Sequence, residues 1–259
     1  MGKFDGILIC SDIDGTLARQ GKISPRNLEK ISYFQSEGGI FTLATGRYAG
    51  YSSDLAVRAN GPIITENGAR IYDDALGRTL WTFPLDGAGP LLEWLDANPS
   101  PCYRIRYVDG FEILEKGSVV EQVLAHKTGD LLQIICSDFD SEEQAIAFRD
   151  LARDRFGSRF VFHRSWETGV EIVSPLGGKG NCLNQLRQIL GDRARKVFAI
   201  GDYENDISMF QAADHSFAPS NACEEALAAA ETVLCSCAEG AVGALIEWVA
   251  AKFSEGSSL

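Results

Sequence analysis

The chain has 259 residues, and 45% of them are hydrophobic, so it is long enough for one large domain or two smaller ones with a substantial core. Its formal net charge of −12 gives a surface that repels phosphate backbones and anionic lipids, and we therefore expect neither a nucleic-acid partner nor a membrane partner. No apolar stretch reaches the length of a membrane span, and no signal peptide is recognisable. The seven cysteines, an odd number, are typical of reduced thiols. We therefore predict a cytoplasmic protein.

Apolar strands and amphipathic helices alternate in the first part of the chain. Ser24 and Pro25 predict the start of a helix, because serine caps a first turn and proline is tolerated within it, and Gly38-Gly39 predicts the end. The other predicted elements are strands over 6–10, 39–44 and 62–65, a helix over 48–59 and a hairpin over 69–83. This alternation is typical of a parallel sheet with helices on its faces.

The middle of the chain has a different pattern. From about Pro84 to about Ser174 we predict a helix, a strand pair, a helix, a strand, a helix and a second strand pair. Asp109-Gly110 stands between the apolar runs "CYRIRYV" and "FEIL" and is a strong signal for a two-residue hairpin turn. The pattern predicts an antiparallel α+β insert.

The alternation of strands and helices returns after the insert. We predict helices over 178–190, 204–213, 222–230 and 240–253, and strands over 196–200, 215–218 and 232–234. The predicted fold class is α/β, with a doubly wound parallel-sheet (Rossmann-like) core and an inserted α+β domain. The core domain is expected to comprise residues 1–83 and 175–259, and the inserted domain residues 84–174.

Two acidic residues, Asp12 and Asp14, lie just past the end of the first predicted strand. Ligands of an open parallel sheet bind beyond the carboxyl ends of the strands, so both carboxylates can reach one cleft. Like charges this close favour either a bound cation or a proton on one of the two carboxyl groups. Mg²⁺ prefers hard oxygen ligands, and a carboxylate beside it can attack an electrophile. A simple Asx-type turn is the alternative interpretation.

Two further segments place polar groups at strand ends or helix starts. Thr45 and Gly46 follow the second strand, where a hydroxyl and a backbone N–H can hold an anion or form an ordinary strand-to-helix turn. Lys179 stands between glycines at the start of a helix, where the helix dipole disfavours a cation. A nearby anion or carboxylate explains that lysine better than a surface position does.

The last polar group follows the strand over 196–200. Asp202 lies just past that strand, and Asn205 and Asp206 lie in the first turn of the next helix, where helix-start electrostatics alone also explain Asp206. In chain order the four segments are D-x-D-G-T, T-G-R, G-K-G and G-D-x-x-N-D. Because each is at the end of a strand or the start of a helix, together they indicate a single site.

With these four segments in this order, the chain resembles the haloacid dehalogenase-like superfamily of phosphatases, in particular the Cof-type subfamily, which carries a C2B cap inserted after the third core strand. The motifs that carry the resemblance are "DIDGTL", "ATGR", "GGKGN" and "GDYENDISMF". The segments "ENGARIYD" and "VEIVSP" are similar to that subfamily's cap borders. The resemblance runs over nearly the whole chain and implies that residues 84–174 form a C2B-type cap domain.

The resemblance implies catalytic roles for residues at matching positions. Asp12 is implied to be the nucleophile that forms an aspartyl-phosphate, and Asp14 to be the general acid and then the general base. Lys179 is implied to neutralise Asp12 and the phosphoryl group. Asp12, Asp202 and the backbone carbonyl of Asp14 are implied to be the ligands of Mg²⁺.

The same resemblance implies a binding site for the phosphate group of the substrate. Thr45, Gly46, Arg47 and Asn205 are the implied phosphate-binding residues. Asp206 is implied to lie behind these residues and to orient them.

The cap is expected to select the substrate. The two-residue period of a strand places Arg104 and Arg106 on the same face of a predicted strand. There they either recognise a carboxylate or second phosphate of the substrate, or they form a solvated strand face. His163 and Arg164 are further candidates in the cap.

We therefore predict an enzyme: a Mg²⁺-dependent phosphatase that hydrolyses a small phosphomonoester, namely a sugar phosphate or a related phosphorylated metabolite. One alternative is a phosphosugar mutase or phosphotransferase of the same superfamily, which would protect its phospho-enzyme from water. Another alternative is a non-enzymatic phospho-aspartate signalling module, which the long insert and the D-x-D spacing disfavour. We expect the protein to be a monomer or a homodimer.

Overall fold

The structure is a computed structural model that describes residues 2–49, 59–126 and 130–254. The strands of the described residues are β1 (Ile7–Ser11), β2 (Ala18–Arg19), β3 (Lys22–Ile23), β4 (Ile40–Leu43), β5 (Ile63–Thr65), β6 (Arg70–Asp73), β7 (Arg78–Thr82), β8 (Cys102–Tyr107), β9 (Gly110–Leu114), β10 (Leu131–Ser137), β11 (Val161–His163), β12 (Gly169–Val173), β13 (Lys196–Ile200), β14 (His215–Pro219) and β15 (Thr232–Leu234). The helices of these residues are α1 (Pro25–Ser36), α2 (Gly89–Ala97), α3 (Val119–Ala125), α4 (Glu142–Phe156), α5 (Gly178–Leu190), α6 (Ile207–Ala212), α7 (Glu224–Ala229) and α8 (Ala241–Ser254). The helix predicted over 48–59 falls, apart from its ends, outside the described residues.

The described residues divide into two compact units. The first unit combines the described parts of Met1–Leu80 and Lys179–Leu259, and the second unit is the described part of Trp81–Gly178. The second unit is thus inserted into the sequence of the first. The domain boundaries expected from the sequence, at residues 84 and 174, stay a prediction.

A five-stranded parallel sheet forms the centre of the first unit, with the strand order β15-β14-β13-β1-β4. Every residue of β1 and of β4 is buried. Strands of a parallel sheet are covered on both faces by helices, which is why the apolar runs in the sequence continue without alternation. The α/β fold class predicted from the sequence is confirmed.

Helix α1 illustrates how local sequence fixes an element of this unit. The Ser24 Oγ accepts a hydrogen bond from the Asn27 N–H at 3.2 Å, and Pro25 occupies the first turn. The buried Asn27 side chain donates to the Leu17 carbonyl oxygen at 3.0 Å and accepts from the Gly243 N–H at 2.8 Å. A single buried amide therefore joins α1 to the loop after β1 and to α8, and both of its polar atoms have partners.

The strand predicted over 62–65 corresponds to β5, but its pairing differs from that of a central parallel strand. An isolated parallel bridge joins Ala44 to Ile64, whereas β5 pairs antiparallel with β6 over its whole length. Strand β7 completes a three-stranded sheet in the order β5-β6-β7. The short hairpin formed by β2 and β3 was not predicted, because two-residue strands leave no periodicity to recognise.

The second unit contains a five-stranded antiparallel sheet in the order β11-β12-β10-β8-β9. Ile105, Ile134 and Ile172 stand opposite one another on its three middle strands, and all three are fully buried in the core that the sheet forms with the helices. Helix α4 begins after Ser141, whose Oγ accepts from the Gln144 N–H at 3.3 Å. The predicted succession of helices and strands within this unit matches the observed one.

A histidine at the end of α3 holds the β8–β9 hairpin. The His126 ring stacks on Tyr107 with 3.5 Å between ring centroids, its Nε2 lies 2.9 Å from the Asp109 Oδ1, and its Nδ1 lies 3.4 Å from the Glu112 Oε1. Burial lowers the pKa of His126, but the hydrogen bonds to the two carboxylates outweigh it and raise that pKa above its ordinary value. The His126 ring therefore links both carboxylates of the hairpin to α3.

None of the helices within the described ranges combines the length and the apolar character that a membrane span requires.

Candidate active site

The site is built where three neighbouring parallel strands end. Ser11, the last residue of β1, pairs with Ile200 at the end of β13 and with Leu43 at the end of β4. Because the strands are parallel and in this register, the loops that follow them begin at the same edge of the sheet. The sequence-predicted residues of the first unit lie in these loops and in the first turn of α5.

Lys179 is the buried cation of the site. Its side chain is fully buried, and its Nζ donates to the Asp12 Oδ1 at 2.7 Å and to the Asp206 Oδ1 at 2.6 Å. Burial alone would lower the pKa of Lys179, but the two carboxylates raise it above its ordinary value, so the ammonium stays charged. The unfavourable position of a lysine at the start of a helix is thus explained by two carboxylate partners.

Three carboxylates surround this ammonium. Asp12, Asp202 and Asp206 offer oxygen atoms that all lie within 4.8 Å of one another. Burial raises the pKa of Asp12, Lys179 lowers it, and repulsion by the other two carboxylates raises it further, with a net upward shift. Burial and repulsion by Asp206 raise the pKa of Asp202 to about 7. When all three carboxylates are ionised, one ammonium does not balance their charge, which is why the pKa values of Asp12 and Asp202 are raised.

Hydrogen bonds fix the orientation of two of these carboxylates. The Thr16 Oγ1 donates to the Asp202 Oδ1 at 2.6 Å. The Asp206 Oδ2 accepts from the N–H groups of Asp202 at 2.9 Å and Tyr203 at 3.1 Å, which places it at the start of the turn that leads into α6. Asp206 therefore supports both the loop after β13 and the ammonium of Lys179. Thr16 was missed in the sequence analysis, although it is part of the same D-x-D-G-T segment.

The close approach of two loops requires a glycine at position 15. Gly15 has a φ of +88°, a conformation that L side chains rarely adopt. A Cβ atom at this position would lie 2.2 Å from the Asp202 Oδ2. The glycine of the D-x-D-G-T segment therefore serves both the turn and the packing of the loop after β1 against Asp202.

The Asp14 carboxylate is paired with an arginine instead of joining the acidic cluster. It is exposed and accepts two hydrogen bonds from Arg47, from Nε at 2.8 Å and from Nη2 at 2.6 Å. This bidentate ion pair joins the loop after β1 to the loop after β4. The three-carboxylate group found among the described residues does not include the Asp14 side chain. The role of the Asp14 backbone carbonyl toward a metal ion, which the resemblance implies, stays a prediction.

The remaining predicted phosphate-binding residues lie in two segments. The Thr45 Oγ1 accepts from the Arg47 N–H at 3.1 Å, which closes a tight turn around Gly46. The Asn205 Nδ2 donates to the Asn67 Oδ1 at 2.8 Å. Asn67 was missed as a site residue in the sequence analysis, where the segment "ENGARIYD" served only as a border of the predicted cap.

The donor set of the cluster fits a divalent cation that prefers oxygen ligands. All three side chains are carboxylates, which suit Mg²⁺ better than metals that prefer nitrogen or sulfur. The pKa values of Asp12 and Asp202 are raised, so a bound cation would stabilise the charged form of both carboxylates.

The candidate specificity residues lie in the second unit. Arg104 donates to the Ser137 hydroxyl and lies 3.7 Å from the Asp138 carboxylate, and the Arg106 guanidinium is 4.7 Å from the centroid of the Phe111 ring. On the neighbouring strands, a buried Gln133 donates to Glu171 at 2.6 Å, and Gln133 is the cross-strand partner of Arg106.

His163 and Arg164 have separate surroundings in the same unit. His163 is the cross-strand partner of Glu171, and the Arg164 Nη1 donates to the Glu142 Oε1 at 2.8 Å. The roles of these residues and of both arginines of β8 in substrate selection stay predictions.

The fold and the site define an open α/β protein that gathers carboxylates and one buried ammonium at the carboxyl edge of a parallel sheet. The family model of haloacid dehalogenase-like hydrolases matches residues 9–107 and 111–246. The chain belongs to this family, and the resemblance inferred from the motifs is confirmed.

Curated relatives and solved structures agree with this assignment. The chain is 26% identical over 257 residues to the 5-amino-6-(5-phospho-D-ribitylamino)uracil phosphatase YwtE of Bacillus subtilis, with 84% of this chain and 88% of the relative covered. It is 27% identical over 253 residues to the pyridoxal phosphate phosphatase YbhA of Escherichia coli, with 88% and 92% covered. A haloacid dehalogenase-like hydrolase from B. subtilis has the same fold, with a TM-score of 0.81, 22% identity and 93% and 98% of the two chains covered. The predicted enzyme class, a phosphoric monoester hydrolase, is confirmed.

Proposed function

We propose that the chain is a Mg²⁺-dependent phosphatase that hydrolyses a small phosphomonoester through an aspartyl-phosphate. The observation that carries the proposal is the buried Lys179 ammonium, which contacts Asp12 at 2.7 Å and Asp206 at 2.6 Å. Phosphoryl transfer requires positioning and charge neutralisation more than any other contribution, and this cluster supplies both beside a carboxylate nucleophile.

The substrate is a phosphorylated metabolite of small size, either a sugar phosphate or a related compound. The names of the two relatives specify a phosphoribitylamino-uracil and pyridoxal phosphate, which are both small phosphorylated molecules. The acidic charge of the chain, −12, makes a polyanionic macromolecule an unfavourable substrate.

Asp12, Asp202 and the backbone carbonyl of Asp14 are the ligands that we assign to Mg²⁺. The close approach of the carboxylates of Asp12 and Asp202 supports the assignment, because their repulsion needs a compensating charge. When bound, the ion supplies positive charge to the phosphoryl oxygens.

Asp12 is the nucleophile of the first step. One carboxylate oxygen forms a bond to phosphorus while the bond from phosphorus to the ester oxygen breaks. The leaving alkoxide takes a proton from Asp14, so that an alcohol departs and Asp14 becomes a carboxylate. Lys179 favours the ionised form of Asp12 through its 2.7 Å hydrogen bond and offsets part of the charge of the phosphoryl group.

Asp14 acts as the general base in the second step. It takes a proton from water, the water oxygen bonds to phosphorus, and the bond from phosphorus to the Asp12 oxygen breaks to release inorganic phosphate. Both transfers require the Asp14 carboxyl group to leave the bidentate contact with Arg47. Arg47 is then available to bind a phosphate oxygen in its place.

Three further groups bind the phosphate. The Thr45 hydroxyl already accepts a hydrogen bond from the Arg47 N–H, so its own hydrogen can be donated to a phosphate oxygen. The Gly46 N–H and the Asn205 side-chain amide are the other donors. Asp206 contributes by fixing Lys179 and the turn after β13.

Release of inorganic phosphate from a panel of phosphomonoesters tests the proposal, with Mg²⁺ in one arm and EDTA in the other. We expect release from at least one ester without an added acceptor, and loss of release in EDTA. Asp12→Asn should reduce turnover to background, and Asp14→Asn should reduce it by roughly 10²–10⁴-fold, the usual contribution of general acid–base catalysis. Asp154→Asn, which alters an exposed carboxylate in α4, is the matched control and should leave turnover unchanged.

Three outcomes would contradict parts of the proposal. Turnover in Asp12→Asn equal to that of the wild type would remove the covalent mechanism. Full activity after exhaustive chelation would remove the metal. Transfer of the phosphoryl group to a sugar acceptor with no release to water would point to the mutase or phosphotransferase alternative.

A further inference from the structure

A strained turn stands beside the proposed phosphate-binding loop. Glu66 and Asn67 are consecutive, fully buried residues with φ values of +48° and +53°. Residues other than glycine rarely adopt this left-handed conformation, although asparagine adopts it more readily than most. Two such residues in succession persist only where the surrounding structure determines the conformation, and this kind of strain is concentrated at functional sites.

Buried polar contacts determine the conformation of the turn from one side. The Glu66 carboxylate accepts a hydrogen bond from the Thr65 hydroxyl and pairs with the Arg70 Nε at 3.4 Å. The side chains of Glu66 and Arg70 are only 1% and 7% exposed, so little water screens the pair. The turn is thereby anchored to strands β5 and β6.

The backbone of the turn forms hydrogen bonds with the loop after β4. The Glu66 N–H donates to the Arg47 carbonyl oxygen, and the Asn67 N–H donates to the Thr45 carbonyl oxygen, each at 3.0 Å. In a trans peptide the carbonyl of one residue and the N–H of the next point in opposite directions. Because Asn67 holds the carbonyl of Thr45, the Gly46 N–H is turned away from Asn67.

The side chain of Asn67 holds a second segment of the proposed site. Its Oδ1 accepts a hydrogen bond from the Asn205 Nδ2 at 2.8 Å, and Asn205 is 4% exposed. The N–H and the side chain of one residue therefore contact both the loop that carries Thr45 and Gly46 and the loop that carries Asn205.

We propose that Asn67 is a positioning residue for the phosphoryl group of the substrate. Its N–H orients the Gly46 N–H, and its side-chain oxygen fixes the amide of Asn205. Asn67 itself does not contact the reacting atoms and acts through these two groups. The inference rests on the proposed function, because it gives Gly46 and Asn205 the role of phosphate ligands.

The test is a double-mutant cycle of Asn67→Gly and Asn205→Ala. Binding of inorganic phosphate in the presence of Mg²⁺ is measured by calorimetry, and kcat and KM are measured with the best substrate of the panel. Glycine keeps the left-handed backbone but removes the side-chain acceptor. We expect Asn67→Gly to raise the Kd for phosphate and the KM roughly three- to tenfold, the range for one lost hydrogen bond, with little change in kcat.

The cycle separates positioning from a merely structural role. If Asn67 acts through Asn205, the double variant should bind phosphate no more weakly than Asn205→Ala alone. Asn67→Ala tests the backbone contribution, because alanine is strained at this φ, and it should weaken phosphate binding more than Asn67→Gly does. Gln20→Gly is the matched control: Gln20 has a φ of +50° in the exposed turn between β2 and β3, and its replacement should leave phosphate binding unchanged.

Phosphate binding by Asn67→Gly equal to that of the wild type would overturn the inference, as would effects of the two single variants that add in full. Failure of the underlying function gives a different result. A wild type that releases no phosphate from any ester and binds no inorganic phosphate removes the proposed function and the inference together. An active wild type with an unaffected Asn67→Gly variant removes the positioning role only.

Discussion

Replacing Lys179 by methionine should destabilise the first unit more than any exposed lysine replacement does. Methionine keeps the unbranched shape of the side chain but removes the ammonium, which is fully buried and donates to Asp12 and Asp206. The substitution leaves the three clustered carboxylates without their buried cation.

The magnitude follows from this uncompensated charge. Removing one partner of a buried ion pair costs about 3–5 kcal/mol, a large part of the net stability of an ordinary domain. The loss of stability should be smaller at acid pH, because burial and mutual repulsion already raise the pKa values of Asp12 and Asp202. Protonation of these carboxyl groups relieves the repulsion, and each unit of pKa corresponds to about 1.4 kcal/mol. The pKa of Lys179 is raised, so in the wild type its charge is constant over the neutral range.

Urea unfolding followed by tryptophan fluorescence measures the effect, in EDTA and at two pH values, about 5 and about 8. We expect Lys179→Met to lose about 3–5 kcal/mol at the higher pH and distinctly less at the lower pH. Lys22→Met, at an exposed position of β3, is the control and should change the free energy of unfolding by at most about 0.5 kcal/mol. A Lys179→Met variant as stable as this control at the higher pH would refute the electrostatic account of the site.

The remaining predictions concern pH and one close packing contact. The pKa of Asp202 is raised from its ordinary value of 3.8 to about 7, so its contribution to the stability of the metal-free protein is complete below the ordinary value, declines as the pH rises and is lost once the pH has passed the raised value. Asp202→Asn, or added Mg²⁺, should flatten this decline in Tm. The pKa of His126 is also raised, so the stability that it contributes is present below its unfolded value of about 6.5 and is lost as the pH rises through the folded value. His126→Gln should therefore lower Tm more at acid pH than at alkaline pH, where only the stacking on Tyr107 is lost, and an equal loss of Tm at both pH values would contradict the linkage. Gly15→Ala should abolish Mg²⁺ binding measured by calorimetry, because the new Cβ would lie 2.2 Å from the Asp202 carboxylate; Gly21→Ala is also at positive φ but has no atom within 4 Å, and it should retain binding.

The sequence predicts the central sheet and the gathering of its loops because both follow from local patterns. The runs "GILIC" and "VFAI" contain no polar side chain, which is typical of strands buried on both faces, and polar residues follow within two positions of each run. Parallel pairing then brings Asp12 and Asp202 to one edge of the sheet. The contact of Lys179 with Asp12 was expected from the motifs, and the structure shows it directly.

The unpredicted features depend on contacts between distant loops. No spacing in the sequence indicates that Arg47 pairs with the Asp14 side chain, because the two residues lie on different loops and the pair is decided by side-chain direction. The role of Asn67 likewise depends on a left-handed φ, which the "NG" dipeptide permits without specifying which residues the turn will contact. The antiparallel pairing of β5 with β6 was hidden because a short apolar strand has the same appearance in either kind of sheet.

The order of the two units along the chain determines which segments can fold first during synthesis. Lys179 contacts Asp12, which is synthesised 167 residues earlier, and at typical rates of translation this separation amounts to roughly 10–30 s. During that interval the strand that begins at Ile7 lacks its neighbour β13, whereas the inserted unit is synthesised as one uninterrupted stretch and can fold first. A ribosome-bound fragment that ends before residue 196 therefore leaves one edge of β1 unpaired, although every residue of this strand is buried in the folded protein, and unpaired strand edges of this kind favour aggregation.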